Sequence, residues 1–115
     1  MAADAELDLL QGTLDVLVLR ALSSGPQHGY AIARFIRAGS GETFRILDGA
    51  LYTALHRMEE RGWLEADWGN SDKGKRAKFY RLTVVGRRAL RDRSSEWNRY
   101  VAAVAAVMRS VPEQS

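Results

Sequence analysis

The run from Asp48 to Gly62, DGALYTALHRMEERG, constrains the chain more than any other stretch, because it has the period of a helix and two unlike faces. At about 100° per residue, Leu51, Leu55 and Met58 fall on one inward stripe. Opposite them lie Gly49, Thr53, His56 and Glu60, flanked by Tyr52 and Arg57. Asp48 is a candidate N-cap, since an Asp before the first turn accepts a backbone N–H that otherwise lacks a partner, and Gly62 suits the left-handed residue that closes a helix. A helix is about 10–12 Å wide and the DNA major groove about 12 Å, so a small, hydroxylated outer face at the N-terminal end fits a reading element. A solvated helix face has the same composition, and this stretch alone does not separate the two.

The segments before it supply its support. Leu9 to Leu22, LLQGTLDVLVLRAL, carries Leu14, Leu17, Val18, Ala21 and Leu22 on one stripe, widened by Val16 and Leu19. A helix apolar on more than one side needs cover from more than one side, and in a small chain this predicts a partner chain. Ser23 to Gln27, SSGPQ, breaks the helix. His28 to Ala38 resumes the helical period, with Ile32, Phe35 and Ile36 inward and His28 at the helix start. Gly39 to Leu47 reads as a loop leading into the Asp48 helix.

After Gly62 the period changes from that of a helix to that of a strand. From Trp63 to Trp68, Leu64, Ala66 and Trp68 alternate with Glu65 and Asp67, and from Ala77 to Leu82, Tyr80 and Leu82 oppose Phe79 and Arg81. Between them GNSDKGKR is rich in turn residues and bases, predicting a hairpin with a mobile tip that carries Lys73, Lys75 and Arg76, with Lys78 on the returning strand. From Lys73 to Arg93 the only acid is Asp92, and such a local excess points to a polyanionic partner more directly than the net charge of +3. Three helices followed by a basic hairpin is the order of a winged helix-turn-helix.

Thr83 is a candidate N-cap for a last helix reaching about Val111. Leu90, Trp97, Val101, Val104 and Met108 form a stripe along it, widened by Tyr100, Ala103 and Val107. Few layers remain to cover it, so a second copy of the same helix, or of the Leu9 to Leu22 helix, is the expected neighbour. Arg87, Arg88, Arg91 and Arg93 read as a solvated face beside the hairpin. The fold class is mainly α with a small β-hairpin. It divides into a winged helix-turn-helix over 1–83 and a dimerisation helix over 84–115, within one compact unit of 115 residues.

Several function classes fall away. With no cysteine and two separated histidines, a metal or thiolate site has no ligands to build from, and no cofactor is expected. No apolar run approaches the roughly 20 residues that span a bilayer, and the acidic start MAADAELD is unlike a signal peptide, so a cytoplasmic protein without a membrane partner is expected. No nucleophile has a base partner: Glu59, Glu60 and Glu65 read as surface charges and Ser94 and Ser95 as a polar interruption of a helix, so no enzyme is expected.

The ordered words GTLDVLVLRAL, HGY, LYTALHRMEERG and KFYRLT, set between Leu9 and Met108, resemble the PadR family of bacterial transcriptional regulators, in particular its small members with a single C-terminal helix. The resemblance implies a homodimer on a palindromic double-stranded DNA operator, usually repressing transcription and often released by a small aromatic or amphiphilic effector. Two positions depart from the common pattern. Thr53 replaces a Pro after the LY pair, restoring a backbone N–H and adding an outward hydroxyl, and Val84 replaces a Pro in the first turn after Thr83.

For DNA binding, the residues expected at bases or phosphates are Gly49, Tyr52, Thr53 and His56. Arg57, Lys73, Lys75, Arg76 and Lys78 are expected on the backbone, and Tyr30 is read as a packing residue with a hydroxyl within reach of a phosphate. Tyr52 equally fits a packed ring at the edge of the inward stripe. For the dimer interface or an effector site the residues are Leu17, Trp97, Tyr100, Val101, Val104 and Met108, with Trp97 either sandwiching a planar aromatic ligand or filling the interface. Alternatives are a chain that is mainly a small-molecule sensor, or a winged-helix module for protein contacts, although the latter has little need of a basic, glycine-containing tip.

Overall fold

The computed structural model describes residues 6–10 and 12–113. The polar start expected over 1–5 lies outside these residues. Nine elements follow one another: β1 (Leu7–Asp8), α1 (Thr13–Ala21), β2 (Gln27–His28), α2 (Gly29–Gly39), β3 (Phe44–Arg45), α3 (Asp48–Glu60), β4 (Leu64–Asn70), β5 (Arg76–Leu82) and α4 (Val84–Arg109). No helix among them is long and apolar enough to cross a membrane.

α1 lies at the centre. Val18, Leu19, Ala21 and Leu22 are buried in one cluster with Ile32 and Ile36 of α2, Leu51, Leu55 and Met58 of α3, Leu64, Tyr80 and Leu82 of the hairpin and Ala89 of α4. Burying a Leu or Val side chain fully is worth about 1.5–3 kcal/mol, so this cluster carries the fold. Much of α1 is covered by its own chain, and Leu17, expected at a dimer or effector surface, is partly buried against this core.

The helix is shorter than the Leu9 start its pattern predicts, because Gly12 takes a φ of 86° just before Thr13 and turns the chain. Leu9 still packs on the core, while Leu10 is exposed. In α2, Ile32 and Ile36 are buried but Phe35 is half exposed, against the inward placement expected for it. The narrow α2 stripe is satisfied by two residues one turn apart.

Two strand contacts were not visible in the apolar pattern. β1 pairs in parallel with β3, Leu7 opposite Phe44, inside what reads as a loop. β2 pairs with β5, Gln27 opposite Tyr80 and His28 opposite Phe79, making the hairpin the larger part of a three-stranded sheet ordered β2-β5-β4. Two-residue strands leave no periodicity to detect.

The ends of the helices use different devices. His28 caps α2, its Nδ1 accepting from the Ala31 N–H at 3.1 Å. Asp48 does not cap α3: Leu47 holds the N-cap position without a side-chain bond, and Asp48 is the first helical residue, where its charge complements the helix dipole instead. Gly62, at φ 77°, closes α3 as expected, its N–H donating to Glu59 O and that of Trp63 to Met58 O. Thr83 caps α4, its hydroxyl oxygen accepting from the Gly86 N–H at 3.0 Å. α4 then runs 26 residues to Arg109, within two residues of the end expected for it.

Besides packing Ala89 on the core, α4 makes one very close backbone approach. A Cβ on Gly86 would stand 2.0 Å from the carbonyl oxygen of Trp63, and that oxygen belongs to backbone already bonded to the Thr83 N–H. Neither side can yield without undoing the cap. Gly86→Ala is therefore expected to cost about 3 kcal/mol, lowering the Tm by roughly 10–15 °C in a thermal melt followed by circular dichroism. A Tm within 2 °C of the parent, roughly half a kcal/mol, would show that this approach does not set the angle of α4.

Candidate nucleic-acid interface

α3 presents its outer face to solvent because Leu51, Ala54, Leu55 and Met58 commit the opposite face to the core. Gly49, Thr53 and His56 are exposed, with open space where a Gly49 side chain would be. His56 Nε2 lies 3.7 Å from Glu60 Oε2, one turn on. Tyr52 is 51% exposed, and its hydroxyl sits where a side chain on Gly29 would project, so the ring stands over the start of α2 with its outer side free. Tyr52 packs against backbone at one edge and faces solvent at the other.

Arg57, expected on the DNA backbone, is engaged by an acid of its own chain. Its Nη2 donates to Asp15 Oδ1 at 2.5 Å, and the Asp15 side chain is only 11% exposed. A carboxylate on the central helix needs a partner, and α3 provides it. The pair fixes α3 against α1 by a directional contact that apolar packing cannot supply.

The hairpin continues this face. Lys73, Lys75 and Arg76 are exposed at its tip, and the tip is a hydrogen-bonded turn, with Ser71 N–H donating to Lys75 O at 2.7 Å and Gly74 N–H to Ser71 O at 2.9 Å. Lys78 is only partly available. Its Nζ donates to Glu59 Oε1 of α3 at 3.3 Å and lies over the Tyr80 ring at 5.5 Å, tying the hairpin to the helix. Burial pushes the Tyr80 phenol above its ordinary pKa, against the lowering effect of the Lys78 charge. On the other side of the sheet Arg81 bonds both Glu65 and Asp67, and these hydrogen bonds and charges raise its pKa further. That face is electrically closed.

Between hairpin, α2 and α3 lies a cleft of about 660 Å³. Tyr30, Tyr52, Tyr80 and Trp68 supply aromatic wall, and Arg34, Lys73, Lys75, Arg76 and Lys78 supply the cationic rim. Tyr30 is 60% exposed, with the Arg34 guanidinium 5.4 Å from its ring centre. Trp68 and Arg34 were not singled out as site residues from the sequence. Trp68 belongs to the inward alternation of β4 and reads as core, yet it is 60% exposed, because the strand outruns the core it starts in.

The residues expected at a dimer or effector surface divide. Trp97 and Tyr100 stack at 5.9 Å and 25°, and with Leu10, Thr13, Val16, Arg93 and Glu96 they line an open groove of about 430 Å³. Tyr100, Val101, Val104 and Met108 are exposed along the distal half of α4, where Val107 joins them, and Val111 is exposed just beyond its end. Leu17 is partly buried against the core. Among the described residues no cluster of His, Asp or Glu is arranged to hold a metal.

Comparison with known proteins gives this arrangement relatives. The model of the transcriptional regulator PadR-like family matches residues 18–92. An uncharacterised protein of Lysinibacillus sphaericus is 31% identical over 90 residues, covering 78% of this chain and 83% of its own length. Among solved structures, a PadR family transcription regulator from Clostridium difficile R20291 superposes with a TM-score of 0.71 at 30% identity, over 86% of this chain and all of that one. A PadR family regulator from Eggerthella lenta gives 0.71 at 33% identity, over 88% and 86%.

The Asp15–Arg57 pair yields a direct expectation. Arg57→Ala leaves a mostly buried carboxylate without its partner, and because Arg57 is itself partly exposed the expected loss, about 1–3 kcal/mol, is below that of a fully buried pair. Urea unfolding of the variant measures it. Asp15→Asn/Arg57→Met, which removes both charges and keeps much of the volume, is expected to recover at least half of that loss. Equal destabilisation in both variants would mean that the pair's charges contribute nothing.

Proposed function

Since the chain belongs to the PadR-like family of transcriptional regulators, proteins that act by binding DNA and not as enzymes, we propose that it is a homodimeric repressor of a palindromic operator. The observation that carries this reading is the joint exposure of the α3 outer face and the basic hairpin tip on one side of the molecule, bridged by Lys78–Glu59. Gly49, Thr53 and His56 read base edges in the major groove, and Tyr52 and Tyr30 reach phosphates from the start of α2. Lys73, Lys75 and Arg76 supply the sequence-independent attraction, in which each neutralised phosphate releases counterions. Residues 84–115 form the dimerisation element. A row of exposed apolar side chains, Val101, Val104, Val107 and Met108, supports this, since an isolated helix exposing such a row loses the free energy of burying it. The Trp97–Tyr100 stack and its groove suit a planar aromatic effector bound where two such helices meet.

A selection from random duplex DNA at moderate salt tests the operator reading. Recovered sequences are expected to align as an inverted repeat with half-sites about 34 Å apart, one helical turn. Recovery of no consensus, with only weak salt-sensitive binding, would favour the sensor or protein-contact readings. On the selected duplex, Lys73→Ala/Lys75→Ala is expected to flatten the salt dependence by about one unit of slope per lost phosphate contact and to weaken binding to all sequences alike, whereas Thr53→Ala changes the ranking of sequences. An unchanged slope in the double variant removes the tip from the interface.

The dimer is tested by sedimentation equilibrium. Val104→Glu is expected to convert a dimer of 12.8 kDa chains to monomer and to weaken operator binding at least tenfold, because both half-sites are then no longer held together. For the effector, a variant retaining only Trp97 of the three tryptophans is expected to lose fluorescence on titration with planar aromatic compounds. No quenching across such a panel argues for simple packing.

A further inference from the structure

α4 has two unlike long faces. At about 100° per residue Trp97, Val101, Val104 and Met108 form the apolar row, and Arg88, Arg91, Ser95 and Arg99 fall on the side away from it, with Arg87 and Asn98 beside them. All six of these polar residues are exposed. The helix holds six arginines and no lysine against two acids, Asp92 and Glu96. Among the described residues none of these arginines is in an ion pair, and Arg93, on the inner side, has its guanidinium 5.2 Å from the ring centre of Trp63 instead. The residues that α4 buries, Gly86 and Ala89, also lie away from the arginine row. Neither the core nor a second helix seated on the apolar row covers it.

We propose that this row is a second, sequence-independent DNA surface, so that a dimer seated on its operator holds another duplex segment through α4. This rests on the operator reading above, in which α3 and the hairpin tip occupy the first duplex. Row and tip are separate places. α4 begins at the base of the hairpin, and two seven-residue strands carry the tip roughly 20 Å away. Three features favour a duplex over other polyanions. From Arg87 to Arg99 the face has no apolar side chain, so it lacks the apolar centre on which protein interfaces depend, and the row that a membrane-surface helix would insert is turned the other way. Its cations are guanidiniums, whose planar forks donate in pairs to phosphate oxygens, and Ser95 and Asn98 add neutral donors of the kind that contact a DNA backbone. The row is also long and straight, about 16 Å from Arg88 to Arg99 at 1.5 Å per residue. That suits a rod of evenly repeated charge, with one phosphate per roughly 3.4 Å of each strand.

The test loads the whole chain onto an immobilised consensus duplex, washes away free protein and offers a labelled duplex lacking the consensus at about 50 mM salt. The parent protein is expected to retain the second duplex and to release it as salt is raised. Arg88→Gln/Arg91→Gln/Arg99→Gln, which keeps residues of good helix propensity at exposed positions, is expected to hold the operator within about twofold of the parent and to retain the second duplex at least about tenfold less. The matching triple lysine variant keeps the charges and is expected to retain it. No capture by the parent, capture unchanged in the glutamine variant, or loss of capture in the lysine variant would overturn the proposal while leaving operator recognition intact. Loss of operator affinity in the glutamine variant would place the row on the first duplex and overturn it too. Tighter binding of the loaded protein to polyglutamate or to phosphatidylglycerol vesicles than to the second duplex would assign the row to an acidic protein or a membrane instead. Failure of any duplex to load specifically is failure of the operator reading. The row is then judged on random duplex alone, where a salt slope unchanged in the glutamine variant overturns it and a fall of about one unit per lost phosphate contact supports it.

Discussion

The structure depends on the near-complete burial of one short helix. Val18 and Leu19 of α1 and Leu22 just after it are at or below 1% exposure, and every other large element touches the cluster they form. A helix this enclosed sets the positions of its neighbours, because native-density packing leaves few alternative arrangements of rigid apolar surfaces. α3 is pressed on it by Leu51, Leu55 and Met58, α4 meets the cluster through Ala89, and the hairpin closes it with Leu64, Tyr80 and Leu82. Packing alone permits some slide along such surfaces. The Asp15–Arg57 hydrogen bond removes that freedom between α1 and α3 and supplies the partner that a carboxylate at 7% exposure needs.

The elements legible in the sequence were those whose pattern runs over two or more helical turns or several strand residues. α3, the hairpin and α4 each carry such a pattern, together with a terminal signal in Gly62 or Thr83, and their bounds came out close to those observed. What escaped was local or depended on tertiary surroundings. β1, β2 and β3 are two residues each and show no period. Asp48 has the chemistry of a cap, but the chain enters α3 through Leu47 in an extended conformation, and identity alone does not say which residue is half inside a helix.

The site was legible in outline and misleading in its charges. Sequence counts cations; the fold decides which of them are spent. Arg57 and Lys78 looked as available as Lys73 and Lys75, yet acids distant in the chain, Asp15 and Glu59, engage them. Trp68 shows the complementary limit. Alternation reports which side of a strand a residue faces, but not where along the strand the core stops, so a ring in register with Leu64 reads as buried although its neighbours have run out.

These pairings change the electrostatic character of the molecule more than its net charge of +3 indicates. Arg57, Lys78 and Arg81 are each held by carboxylates, so their fields are largely cancelled within a few ångströms. The exposed cations at the hairpin tip and on the first turns of α4, where Arg87, Arg88 and Arg91 face solvent, have no such neighbours among the described residues. At physiological ionic strength the Debye length is about 8 Å, so an approaching polyanion senses local charge and not the molecular sum. The free cations therefore lie at two places, the hairpin tip and the first turns of α4, which follow the opposite end of the hairpin. Folding has sorted the basic residues into those engaged by acids, which tie α3 to α1 and to the hairpin or link the hairpin strands, and those left exposed, and the acids that make the net charge small are what perform the sorting.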